Sequence, residues 1–130
     1  MNTPLGTHYI VEFYGCMADS LKRAESCKLT FREAATRGNF TVVDEHFHEF
    51  SPWGVSGVTV LSESHMSIHS WPEHGYAAID IFYCGGKVFP DHAIAYFREQ
   101  FCPSKVEIAV MHRGLPEKFM VCADEEEADA

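Results

Sequence analysis

Apolar and polar residues alternate along several stretches of the chain, the two-residue period of a half-buried strand. His8–Tyr14, Phe40–Phe50, Tyr76–Cys84 and Val106–His112 all read this way. Val58–Trp71 alternates too, over a length that predicts either one long strand or a hairpin. Two stretches change period. Ala18–Gly38 puts Ala24, Cys27, Phe31 and Ala34 or Ala35 at helical spacing, with Gly38 as a C-terminal cap and Thr30 with Glu33 as a capping box that could restart a broken helix. After Gly86 a second helix is predicted, capped by Asp91, with Ile94, Phe97 and Phe101 as its apolar stripe and Pro103 as its stop. The order strand, helix, three strands, helix, strand predicts an α+β fold: a two-layer sandwich of a mostly antiparallel sheet with two helices on one face.

The 130 residues suit one domain, expected over 1–123, and a core small enough that association would help it. The remainder, Asp124–Ala130, is acidic with no apolar face and is expected to be a solvated tail. Ten Lys and Arg against nineteen Asp and Glu, with no basic stripe, exclude a phosphate-neutralising surface, so no nucleic-acid partner is expected. No membrane partner is expected either. The start carries no basic and apolar leader and no run approaches the roughly 18 apolar residues of a span, which predicts a cytoplasmic protein. Five cysteines without a CxxC pair fit neither a disulfide framework nor a zinc knuckle, and four of them read as ordinary small thiols.

Chemistry concentrates in Leu61–Gly85, LSESHMSIHSWPEHGYAAIDIFYCG, where a serine, histidines, a carboxylate and a cysteine flank the turn Trp71–Gly75. Parity puts Ala77, Ile79, Ile81 and Tyr83 on a packing face and Asp80, Phe82 and Cys84 on the other, where His69 could meet them. Phe40, Val42, Asp44, His46, His48 and Phe50 share a face that is polar for a core. Each of these residues alone has an ordinary structural role; strand histidines are mostly hydrogen-bonded and Phe50 and Trp71 would otherwise be packing aromatics.

The segments GVSG at Gly54–Gly57, SESH at Ser62–His65, IHSWPE at Ile68–Glu73 and GYAAIDIFYCG at Gly75–Gly85 occur in an order and spacing that resembles the small prokaryotic S-adenosylmethionine decarboxylase proenzymes. The resemblance runs from about His8 to about Arg113, nearly the whole chain. It implies a pyruvoyl cofactor made from Ser64 by cleavage of Glu63–Ser64, giving chains 1–63 and 64–130 that stay together. His69 matches the processing base and Ser56 a residue that assists it. Cys84 matches the proton donor to the decarboxylated carbon, a role open to a thiol that keeps its proton at neutral pH. Glu73 matches a carboxylate that binds ribose hydroxyls and Phe50 an aromatic near the sulfonium; Trp71 could extend that wall. The implied reaction turns S-adenosylmethionine into the aminopropyl donor of spermidine synthesis, its α-amine condensing with the ketone. No metal ligand is implied. Pairing of protomers sheet to sheet or edge to edge, with sites near the interface, implies a homodimer of cleaved protomers.

Three alternatives stay open. A pyruvoyl decarboxylase of free ornithine or arginine would use the same cleavage machinery, and only the pocket residues Phe50 and Glu73 favour the nucleoside. A metal-binding protein could use His46, His48, His65, His69 and Cys84, and a non-catalytic relative would keep its chain uncleaved. Trp53, Met66, Ser67 and Ser70 depart mildly from the commoner family wording.

Overall fold

Alternating residues become strands here, and most of their apolar sets find a helix to cover them; the last, Val106–His112, leaves Ile108 and Val110 exposed. The computed structural model describes residues 3–119, so the acidic tail lies outside the described residues. In chain order the elements are β1 (Gly6–Tyr14), a 3-10 turn (Ala18–Leu21), α1 (Ala24–Arg37), β2 (Val42–Glu49), β3 (Val55–Leu61), β4 (Ser64–Trp71), a second 3-10 turn (Pro72–His74), β5 (Tyr76–Tyr83), α2 (Pro90–Phe101) and β6 (Lys105–Arg113), with a short 3-10 turn at Pro116–Lys118. All strand pairs are antiparallel, in the sheet order β2-β3-β4-β5-β1-β6.

The expected two-layer α+β fold is what forms, with one strand more than the count from the sequence. Val58–Trp71 is a hairpin: Leu61 pairs with Ser64 across the two-residue turn Ser62–Glu63. Its strand β3 starts at Val55, earlier than expected. The inner face carries Val11, Phe13, Met66, Ile68, Ile79 and Ile81, and α1 and α2 close over it with Phe31, Phe97 and Phe101. Phe31 and Phe97 meet at 4.5 Å between ring centroids, locking the helices to each other. Burying each such ring is worth about 1.5–3 kcal/mol, so these aromatics carry much of the core.

Three local expectations are corrected. α1 runs unbroken through Thr30 and Glu33; the break falls earlier, at Lys22–Arg23, between the 3-10 turn and the helix. Asp91 lies in the first turn of α2 without capping it by a side-chain bond; Pro90 starts the helix, where its missing N–H costs nothing. The six residues between Phe40 and Phe50 expected on one face are split by a register shift between Val42 and Asp44. Phe40 and Val42 therefore join the core, while Asp44, His46 and His48 turn to the other side.

Gly57 is required by packing. It lies opposite Phe47, and a Cβ there would come within 2.1 Å of that ring. The ring leans across it to reach Phe31 at 5.5 Å. Gly75, with φ of +60°, ends the turn that reverses the chain into β5.

Candidate active site

The outer face of the sheet has no helix over it, and the candidate residues gather at two separate places on it or at its rim. The first is the β3–β4 turn. Its backbone is clamped from both sides: Ser62 N–H donates to the Thr41 carbonyl at 2.9 Å, and Thr41 N–H donates to Glu63 Oε1 at 3.1 Å. On the other side Cys84, just past β5, donates its N–H to the Glu63 carbonyl at 2.9 Å and its thiol to the same oxygen at 3.4 Å. That carbonyl belongs to the Glu63–Ser64 peptide. Ser64 itself has φ of 151°, a region that residues with a Cβ rarely occupy and that costs of order 1–3 kcal/mol.

The second place is the far end of the same hairpin. Ser56 on β3 pairs directly with His69 on β4, and both face outward. His69 lies between two rings. Trp71 stacks on it at 4.0 Å and 8°, and Phe50, at the end of β2, lies 6.1 Å away at 17°. Pro72 and Glu73 follow in the 3-10 turn, with Glu73 exposed.

His69 is five residues from Ser64 along β4, roughly 16 Å at strand rise. It pairs with Ala78, six residues before Cys84. The expectation that His69 meets Asp80 and Cys84 on its own sheet is therefore corrected: register brings Ser64 and Cys84 together, brings Ser56, His69, Phe50 and Trp71 together, and holds the two groups apart.

Asp80 has other partners. His8 Nε2 meets Asp80 Oδ2 at 2.6 Å, Ser67 donates to Oδ1, and His65 Nε2 is 3.7 Å from Oδ2. Arg113 donates to His8 Nδ1 at 3.1 Å, which fixes the proton on Nε2 and makes His8 a donor to the carboxylate. This cluster and the clamp from Thr41 were not singled out in the sequence. Parity had placed Asp80 on this face, but its partner His8 lies 72 residues away on β1.

Across the outer face, from β2 to β1, runs a groove of about 790 Å³, lined by Ser56 and His69 but by neither Ser64 nor Cys84. The five side chains considered as metal ligands do not converge. His46 turns to Asp44, His65 to Asp80 and Cys84 to Glu63, and among the described residues no cluster of three suitable side chains could hold an ion.

The model of the family described as S-adenosylmethionine decarboxylase matches residues 7–114. The chain belongs to the S-adenosylmethionine decarboxylase family. Among curated relatives, the S-adenosylmethionine decarboxylase proenzyme of Pyrococcus abyssi is 45% identical over 113 residues, 87% of this chain and 81% of that protein. The proenzyme of Thermodesulfovibrio yellowstonii is 44% identical over 127 residues, 93% of this chain and 94% of that one. The crystal structure of the adenosylmethionine decarboxylase from Aquifex aeolicus superposes with a TM-score of 0.82 at 34% identity, covering 92% of this chain and 98% of that one. S-adenosylmethionine decarboxylases are carboxy-lyases, and both curated relatives are described as proenzymes.

Proposed function

We propose that this chain is a self-cleaving, pyruvoyl-dependent decarboxylase of S-adenosylmethionine. The observation that carries the reading is the geometry at Glu63–Ser64: a strained serine follows a carbonyl that already accepts two hydrogen bonds from Cys84. Attack by Ser64 Oγ on the Glu63 carbonyl carbon puts negative charge on that oxygen, where the Cys84 N–H is aimed. Breaking the C–N bond then yields an ester and relieves the strain at Ser64. A base removes the Ser64 α-proton, the C–O bond breaks, and Glu63 leaves as a carboxylate. The dehydroalanine left behind loses ammonia to water and becomes the pyruvoyl group.

The residues suit that group. It arises from Ser64 itself, at a half-buried turn with a thiol beside it. Once formed, it supplies an electron sink conjugated to the substrate's α-carbon. Cys84 then holds a proton for that carbon, Glu73 accepts hydrogen bonds from ribose hydroxyls, and Phe50 and Trp71 give aromatic faces to a sulfonium, each contact worth about 0.5–2 kcal/mol.

His69 is the base, assisted by Ser56, and the roughly 16 Å between His69 and Ser64 along one strand sets how it acts. The working enzyme is a homodimer in which the Ser64–Cys84 end of one protomer meets the Ser56–His69 end of its partner; a two-fold axis makes two such sites. The uncovered face supports this, with Ile10 and Val60 over a third exposed and Met111 over half. The domain is 1–123 and the cleaved chains, 1–63 and 64–130, are held by the β3–β4, β1–β5 and β1–β6 pairings. The product is the aminopropyl donor for spermidine, made in the cytoplasm.

The experiment is release of carbon dioxide from carboxyl-labelled substrates. S-adenosylmethionine should be turned over and ornithine and arginine should not; the reverse pattern would assign the chain to free amino acids.

A further inference from the structure

A row of rings runs across the outer face to His69. Trp71 and Tyr76 stack at 5.3 Å and 28°, and Tyr76 and Tyr14 at 5.3 Å and 25°. Register sets the row up. Trp71 pairs with Tyr76, His69 pairs with Ala78, and Ala78 pairs with Glu12 on the next strand. The methyl side chain of Ala78 leaves the space between His69 and Glu12 open, and the Tyr76 hydroxyl donates across to Glu12 Oε1. Burial first, and then the Glu12 carboxylate, push the Tyr76 hydroxyl up to about 12, so it keeps its proton and keeps donating at neutral pH.

We infer that Tyr76 and Glu12 are positioning residues for processing: Glu12 anchors Tyr76, Tyr76 backs the Trp71 indole, and the indole fixes the plane of the His69 imidazole. The inference rests on His69 being the processing base. An imidazole on an exposed strand position has two torsions to sample, whereas a base must hold one nitrogen within reach of the proton it removes. A stacked ring fixes the imidazole plane without occupying a ring nitrogen, which a hydrogen-bonding partner would do. Cleavage of the chain precedes any substrate, so residues that only line a substrate pocket leave its rate unchanged.

The test is the cleavage rate of freshly synthesised full-length chain, pulse-labelled in a cell-free system and followed on denaturing gels. Tyr76→Leu should slow cleavage roughly ten- to a hundred-fold, the scale expected when a catalytic group loses its alignment. Tyr76→Phe, which keeps the ring and loses the anchor, should fall between it and the unmutated chain. Glu12→Ala should slow cleavage and Glu12→Gln should recover most of the rate, a rescue that general loss of structure would not give. In the Ser64→Ala background, where nothing cleaves, the His69 ring protons should resonate upfield from the indole ring current and move back with Tyr76→Leu. Cleavage of Tyr76→Leu and Tyr76→Phe at the unmutated rate, or a His69 signal indifferent to them, overturns the inference while leaving His69 as base. An unmutated chain that never cleaves overturns both.

Discussion

Cys84 reaches the Glu63 carbonyl twice, through its backbone N–H at 2.9 Å and its thiol at 3.4 Å. Only the second contact depends on the side chain. Cys84→Ala should therefore still cleave, slowed by no more than the roughly five-fold that a lost neutral hydrogen bond of about 1 kcal/mol allows. The mature enzyme should lose most of its turnover, because the proton donor is gone. Full turnover by Cys84→Ala, measured by carbon dioxide release, would remove the thiol from the mechanism.

The separation of Ser64 from His69 along β4 makes a complementation experiment decisive for the dimer. Alone, Ser64→Ala and His69→Ala should each stay uncleaved or, for His69→Ala, stall at the ester. Co-expressed, they form mixed dimers in which one site regains both residues, so a fraction of the His69→Ala chains should be cleaved. A site built within one protomer predicts no cleavage in the mixture.

The sheet and its helices were legible because alternation and helical spacing are local properties. The split of the site was not, because it depends on which strand pairs with which and on one register. Parity sorted Asp80 to the face of His69, yet gave no position along it, and His69 lies opposite Ala78 and far from Cys84. The β2 face was misread for a similar reason: one irregularity between Val42 and Asp44 reverses every side chain after it. Ser64, Cys84, His69 and Ser56 stood out through motif order, whereas Glu12 and Tyr76, joined across 64 residues, had no signal until the strands were placed.

Ser70 is buried at 4% exposure on the inner face of β4 and ties two elements together. Its hydroxyl donates to the Leu21 carbonyl at 2.8 Å and accepts from Val55 N–H at 2.9 Å. Ser70→Ala strands both buried partners and should cost about 1–3 kcal/mol, read as a lower denaturant midpoint at unchanged slope. A midpoint within error of the unmutated protein would show that the groups find other partners.

Cys27 is fully buried on the inner face of α1, and burial, with a smaller contribution from Glu49, pushes its thiol up to about 12. Between about pH 9, where the unfolded thiol ionises, and about 12, the folded chain holds a proton that the unfolded chain releases. Unfolded binds fewer protons than folded there, so stability falls as pH rises through that window. Cys27→Ala should flatten that decline, whatever it costs in packing at neutral pH. An unchanged slope of stability against pH would assign the decline to other groups.

The central claim is that the chain cuts itself at Glu63–Ser64, and a denaturing intact-mass spectrum of the purified protein tests it most directly. Two fragments, 1–63 and 64–130, the second with a ketone in place of its terminal amine, are the expected result. A single full-length mass after prolonged incubation would contradict it.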